Sequence, residues 1–407
     1  MLRRIALIAL VIALAPGCST VKGWFHSDKT KGSEPAPLVD IASPIGVKKL
    51  WSVGVGDGEG ALWLRQHPTL DGNRLYLVDD SGEVLAIDSA TGKKLWTTQA
   101  VKLKGKRSKW TFWKREALEA GLTSSPGVGN GVVVVGGRNG EVIALNAETG
   151  EKRWAVKVTS EVLSAPLVLP DKVVVRSNDG RVFGLDATDG TRKWVFDRGL
   201  PTLSLRGNSS PIGGVNGVVY VGYDDGTVVA IRLEDGLKVW DQSVAEPEGR
   251  SEIERMADID GDMQLGTDEL YAVSYHNQLM AMSASNGQPL WNHEVGSANG
   301  LTMTADKLLL SDVQGNIWAL DRATGNSLWK QDQLQRRVLT TPVVQGDYGV
   351  VGDLEGYLHW FRLDNGAVVG RAKVEKAAMR GALQVSPDGV LYALSNEGKL
   401  AAYKLGN

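Results

Sequence analysis

Hydrophobic and polar positions fall into a unit that recurs to the end of the chain. Gly82-Glu-Val-Leu-Ala-Ile-Asp88-Ser-Ala-Thr-Gly92-Lys-Lys-Leu-Trp96 shows it most clearly: an apolar run, a polar turn and a second strand ending in tryptophan. The run Val84–Ile87 is continuously apolar, so the strand it predicts is buried on both faces. Full copies run Gly82–Trp96, Gly140–Trp154, Gly180–Trp194, Gly226–Trp240 and Gly315–Trp329. Asn277–Trp291 starts with asparagine, Gly356–Gly370 lacks the tryptophan, and Gly398–Lys404 is a start without an end. The starts recur about every 45 residues, the period of a propeller blade.

Four positions after each start stands a small residue in most copies (Ala86, Ala144, Gly184, Ala230, Ala281, Ala319, Ala402), which we read as letting adjacent sheets approach closely. Ten positions after the start, in all seven copies long enough to have the position, stands glycine, from Gly92 to Gly366, the residue that tolerates positive φ in a hairpin turn. A further apolar strand precedes each start, from Arg74–Val78 to Val390–Ala393. Several of these are preceded by an X-Pro step (Pro68, Pro126, Pro166, Pro211, Pro342), where an innermost strand can begin. Four strands per unit follow. Lys48-Lys-Leu-Trp51 is an ending without a beginning and complements Gly398–Lys404. The expected fold is therefore all-β: an eight-bladed β-propeller of four-stranded antiparallel blades, with the N-terminal strand closing the last blade and leaving no open gap.

The N-terminus changes the picture. Met1-Leu-Arg-Arg4, the apolar run Ile5–Ala15 and Pro16-Gly17-Cys18-Ser19 form a signal-peptide layout. The run is too short to span a membrane as a helix. Cys18 is the sole cysteine, so no intrachain disulfide forms. Its position resembles the lipobox of bacterial lipoproteins, with Ala15 where leucine is usual, and the resemblance implies lipidation of Cys18. Residues 1–17 are read as signal peptide, 18–44 as lipidated cysteine and flexible tether, and 45–407 as the propeller. The tether, polar and proline-containing at Ser27–Pro37, reaches at most about 85–95 Å. A net charge of −2 gives no global attraction to nucleic acid.

Three connections break the period. Val101–Gly121 interleaves basic residues with Trp110, Phe112 and Trp113, and predicts a short helix at 114–120. Leu200-Pro-Thr-Leu203-Ser-Leu205-Arg206 sets leucines two apart before an arginine, a candidate interaction patch. Asp258, Asp260, Asp262 and Glu269 match positions 1, 3, 5 and 12 of a calcium loop, but Met263 occupies the position that requires glycine. An acidic loop or docking surface is expected there rather than a metal site. The five histidines lack metal spacing, and no nucleophile elbow, P-loop or zinc-protease motif is present. Neither metal nor cofactor is expected.

The repeat Ala-x-Asp-x-x-Thr-Gly-x-x-x-Trp resembles the tryptophan-docking motif of quinoprotein (PQQ-dependent) dehydrogenases, which speaks for architecture and not for a cofactor. Together with the lipobox, the eight units and the insertions, Leu203–Gly207, Glu252–Asp260 and Gly352–Trp360 resemble the BamB family, lipoprotein subunits of the outer-membrane β-barrel assembly machinery. The resemblance covers essentially the whole mature chain. It implies a non-enzymatic scaffold on the periplasmic face of the outer membrane, assisting insertion of outer-membrane proteins and able to meet unfolded clients. It also implies that Leu203, Leu205 and Arg206, with Asp258 and Asp260 beside them, dock on the periplasmic POTRA domains of BamA. The chain departs from the family at Gly261–Leu265. A quinoprotein-like enzyme and an envelope polysaccharide-binding propeller are the competing readings.

Overall fold

The computed structural model describes residues 34–406 apart from 57, 59–63, 80, 102–120, 200–207, 215, 247–256 and 276–277. The described residues form eight four-stranded antiparallel sheets and no helix. Blade 1 comprises Thr69–Asp71, Arg74–Val78, Glu83–Asp88 and Lys94–Gln99. Blades 2 to 7 span 127–157, 167–196, 212–243, 264–293, 301–331 and 343–373. Blade 8 takes three strands from 384–405 and its fourth, Val47–Gly54, from the other end of the chain, paired antiparallel with Lys399–Leu405. The apolar second strands lie where expected, within a residue or so at their ends. The five prolines each stand immediately before a first strand, at Thr69, Gly127, Leu167, Ile212 and Val343. The core lies between blades: one cluster joins Tyr76, Val84 and Ala86 of blade 1 to Val133, Val135 and Ile143 of blade 2.

Each blade junction is stapled by the repeat's tryptophan, with one exception. Trp51, on the fourth strand of blade 8, lies over the blade 1 turn so closely that a Cβ on Gly92 would stand 2.6 Å from its ring. Its Nε1 donates to Ser89 O at 3.2 Å. Trp96 repeats this on Gly150 and Ala147 O, Trp154 on Gly190 and Ala187 O, and Trp194 on Gly236 and Leu233 O. Trp240, Trp291 and Trp329 do the same on Gly287, Gly325 and Gly366. These turn glycines have φ of 72–76°, so they need glycine both for conformation and for the space the indole takes.

The small residue has a different partner from the one expected. Ala86 sits directly opposite Trp96 in the same blade, and the equivalent pairs are Ala144 and Trp154, Ala230 and Trp240, Ala281 and Trp291. At Gly184 a Cβ would lie 2.1 Å from the Trp194 ring. The small side chain therefore makes room for its own blade's indole.

Blade 7 inverts this pair: Trp360 stands on the third strand opposite Gly370 on the fourth. The next blade explains why. Blade 8 joins strands from opposite chain ends, so it has no third-to-fourth hairpin and no turn glycine for an indole to cover. Ile45 fills the space instead, with its Cγ1 2.9 Å from where a Gly370 Cβ would be and its N–H donating to Val369 O at 2.8 Å. Trp360, fully buried, donates to Gln345 Oε1 at 2.7 Å. The Gln345 amide in turn donates to Gly389 O and Tyr403 O of blade 8.

Glu34 and Ala36, within the stretch read as flexible tether, are hydrogen-bonded to the connection between blades 6 and 7. Ala36 N donates to Gln335 O at 3.0 Å, Arg336 Nε to Glu34 O and Arg337 Nη1 to Ala36 O, both at 2.7 Å.

Candidate partner-binding face

Antiparallel order within each blade puts the second-to-third turns and the blade-to-blade connections on one face of the ring. The period-breaking connections belong to this face, because each links a fourth strand to the next blade's first strand. Leu203, Leu205 and Arg206 lie outside the described residues, as do Cys18, the expected helix at 114–120 and its aromatics. The described end of the same connection is tied to the next one: Ser210 N donates to Asp262 Oδ1 at 3.2 Å. Ser209 Oγ accepts from Gly222 N at 3.2 Å.

Asp258 and Asp260 are only 1% and 6% exposed, so they lie beneath this face and not on it. Ile259 between them fits against Gly222, where a Cβ would be 2.6 Å away, and its N–H donates to Tyr223 O at 3.1 Å. Tyr275 N donates to Asp258 O at 2.9 Å. The Asp-Ile-Asp segment is thus set by backbone bonds to the turns of blades 4 and 5, with its apolar middle residue as the wedge.

Electrostatics follow from that burial. The Asp260 carboxyl is pushed up to about 7, chiefly by desolvation; the Asp258 and Asp224 carboxylates add to the rise, while Arg65 and Arg176 oppose it. Beside it Arg176 and Asp224 form a buried ion pair across blades 3 and 4, with the Arg176 guanidinium 5.0 Å over the Tyr223 ring. Burial raises the Tyr223 phenol.

The connections meet around the ring axis in a cavity of about 80 Å³. Ser164, Asn208 and Asp260 line it, with Arg65, Asp262 and Arg380. The calcium-like spacing does not close into a loop: Glu269 begins a strand and pairs with Arg322 at 3.3 Å, while Asp262 accepts from Ser210. Among the described residues no group of three or more His, Cys, Asp or Glu side chains could hold a metal ion.

A second buried polar cluster was not read from the histidine spacing. Arg337 pairs with Asp353 at 2.7 Å and with Glu355, and His359 Nε2 lies 2.9 Å from the same Asp353 oxygen. Burial works to raise the Asp353 carboxyl, but hydrogen bonds from His359, the backbone and Arg337 hold it below the usual range. Burial pushes the His359 imidazole down. The signal was the stretch Gly352–Trp360, which carries Asp353, His359 and the displaced Trp360, all wholly buried.

Comparison with known proteins completes the picture. The family model described as "Outer membrane protein assembly factor BamB" matches residues 45–106 and 101–331. An outer membrane protein assembly factor BamB from Xanthomonas campestris pv. campestris is 44% identical, the match covering 100% of this chain and 98% of that protein. The factor of the same name from Escherichia coli K12 is 36% identical, with 98% of each chain covered. The crystal structure of BamB from Moraxella catarrhalis superposes with a TM-score of 0.77 at 29% identity, over 88% of this chain and 100% of that one. Quinohemoprotein alcohol dehydrogenase from Comamonas testosteroni shares the fold alone, with a TM-score of 0.67 at 14% identity, over 90% of this chain and 78% of that one. The eight-bladed ring, its period-breaking connections and these matches together show that the chain belongs to the BamB family of outer membrane protein assembly factors.

Proposed function

We propose that the protein is a non-enzymatic scaffold of outer-membrane protein assembly. It is held at the periplasmic face of the outer membrane by lipid on Cys18, with residues 1–17 removed as signal peptide. Leu203, Leu205 and Arg206 dock on the POTRA domains of BamA, with Asp258 and Asp260, buried in the neighbouring connection, supporting that binding region. One observation supports this reading above the others. The connection that carries Leu203–Arg206 and the one that carries Asp258 and Asp260 are neighbours on one face, joined by the Ser210–Asp262 hydrogen bond. A change at the aspartates therefore reaches Ser210, which follows that segment in the chain, through the Asp262 side chain.

The test is co-purification from envelopes. Leu203→Ala combined with Arg206→Ala is expected to abolish recovery of BamA with the protein while leaving its thermal unfolding within about 0.5 kcal/mol of the parent, as for substitutions away from a core. Undiminished recovery of BamA by a folded double variant would remove this surface from consideration.

A further inference from the structure

The closing strand and the residues before it lie on different faces of the ring. Val47 opens the fourth strand of blade 8 and pairs with Leu405. Like every fourth strand, this one starts on the face of the third-to-fourth turns and ends on the connection face. Ile45 stays on the turn face, its N–H donating to Val369 O near the start of the fourth strand of blade 7. Ala36 is on the connection face, bonded to Gln335 O and Arg337 Nη1 of the blade 6 to 7 connection. Residues 36–45 therefore cross the thickness of the ring. Their length allows it: nine steps of chain reach at most about 32 Å, against about 20 Å for a six-residue strand such as Val368–Lys373, which spans the same two faces.

The fixing point on the connection face is built on both sides. Pro35 and Pro37 restrict the backbone around Ala36 before it binds, which lowers the entropy lost on holding it. They also leave Ala36 with the sole N–H of the three residues, and that N–H is bonded. Opposite it, Arg336 and Val338 have φ of 59° and 49°, two of the four non-glycine residues in the left-handed region among the described residues. A β-branched residue there is strained, and Val338 is exposed, so burial of its side chain does not demand the conformation. The strained turn presents two arginines to one segment: Arg336 Nε donates to Glu34 O and Arg337 Nη1 to Ala36 O. Arg337 is itself held from behind by Asp353 and Glu355. The buried cluster thus fixes a guanidinium whose remaining edge meets the N-terminal segment.

We propose that residues 34–45 are a strap that carries the membrane anchor from the turn face to the connection face, where Arg336 and Arg337 clamp it. The face that bears the period-breaking connections is then also the face drawn towards the bilayer. This rests on the lipid anchor at Cys18 and adds where on the ring the anchor pulls. From Cys18 to Glu34 the chain is 16 steps, at most about 58 Å. Released as far as Ile45 it is 27 steps, at most about 97 Å, and it leaves from the opposite face. The clamp sets both the side of attachment and its reach.

Two measurements test this. Hydrogen exchange on the purified full chain reads the clamp without a membrane. The Ala36 and Ile45 amides are expected to exchange at least about tenfold more slowly than in a peptide of residues 30–46. Arg336→Gly suits the left-handed φ and removes one bond, so it is expected to speed Ala36 and leave Ile45 slow. An Ala36 amide as fast as the peptide's would overturn the clamp. The routing is read on the lipidated chain in phosphatidylethanolamine–phosphatidylglycerol vesicles that carry an energy acceptor on the headgroup. A donor dye is placed at Glu397→Cys, exposed on the connection face, or at Ala323→Cys, exposed on the turn face. Transfer from position 397 is expected to exceed that from 323. Arg336→Gly with Ala36→Pro removes two of the three bonds and, with native circular dichroism retained, is expected to abolish that difference. Equal transfer from both positions in the parent chain, or an unchanged difference in the released variant, would overturn the routing. A failure of the anchor reading shows separately: the chain would not float with the vesicles at all, while Ala36 stayed protected.

Discussion

Seven junctions of the ring and the eighth reach the same end by opposite routes. At the seven, an indole from one blade covers a turn glycine of the next and donates to the carbonyl three residues before it. At the junction of blades 7 and 8 there is no turn to cover, because that blade's third and fourth strands come from opposite ends of the chain. The large and small partners change places, Trp360 moves to the third strand, and its hydrogen bond goes to a side chain, Gln345, that relays it to blade 8. A repeat can staple only what it repeats. The closing junction needs its own solution because connectivity there is unlike that anywhere else.

Three experiments break or sharpen this contrast. Deleting Val47–Gly54 is expected to have the largest effect, since blade 8 then ends on an unpaired Lys399–Leu405 edge. We expect loss of the cooperative thermal transition and self-association by light scattering. Trp360→Ala comes next, at about 3–5 kcal/mol, the range for emptying a buried aromatic site. Adding Gly370→Trp, which restores the repeat's usual order, is expected not to rescue it in chemical denaturation, because Ile45 holds the space above Gly370. The smallest effect is expected from Trp96→Phe, which keeps a ring over Gly150 and loses the bond to Ala147 O. A cost of about 1 kcal/mol is the ordinary net worth of one hydrogen bond. Tyr76 donates to the same carbonyl at 3.0 Å and keeps it satisfied, so a cost well above this would mean that the indole's area matters more than its bond.

Much of the fold was legible because it is periodic. Burial on both faces makes Val84–Ile87 continuously apolar, and a left-handed turn selects Gly92. The complementary half-units at Lys48–Trp51 and Gly398–Lys404 announce the closure. The partner of each small residue was not legible, because spacing within a unit does not say which strand lies opposite. Ala86 faces Trp96 only once the hairpin register is known. The site was legible in position more than in character. Asp258 and Asp260 stand out as a departure from the repeat, but their burial depends on Ile259 wedging into a gap at Gly222, distant in the chain.

The hydrophobic pattern thus specified the number of blades, the order of strands and the way the ring closes, since each of these is a local preference repeated along the chain. The inverted pair at Trp360 and Gly370, the buried Arg337–Asp353–His359 cluster and the axial cavity with its unpaired carboxylate arise from residues far apart in the chain that meet only when eight blades surround one axis. Desolvation of Asp260 is a property of that enclosure, and no stretch of the chain carries it alone.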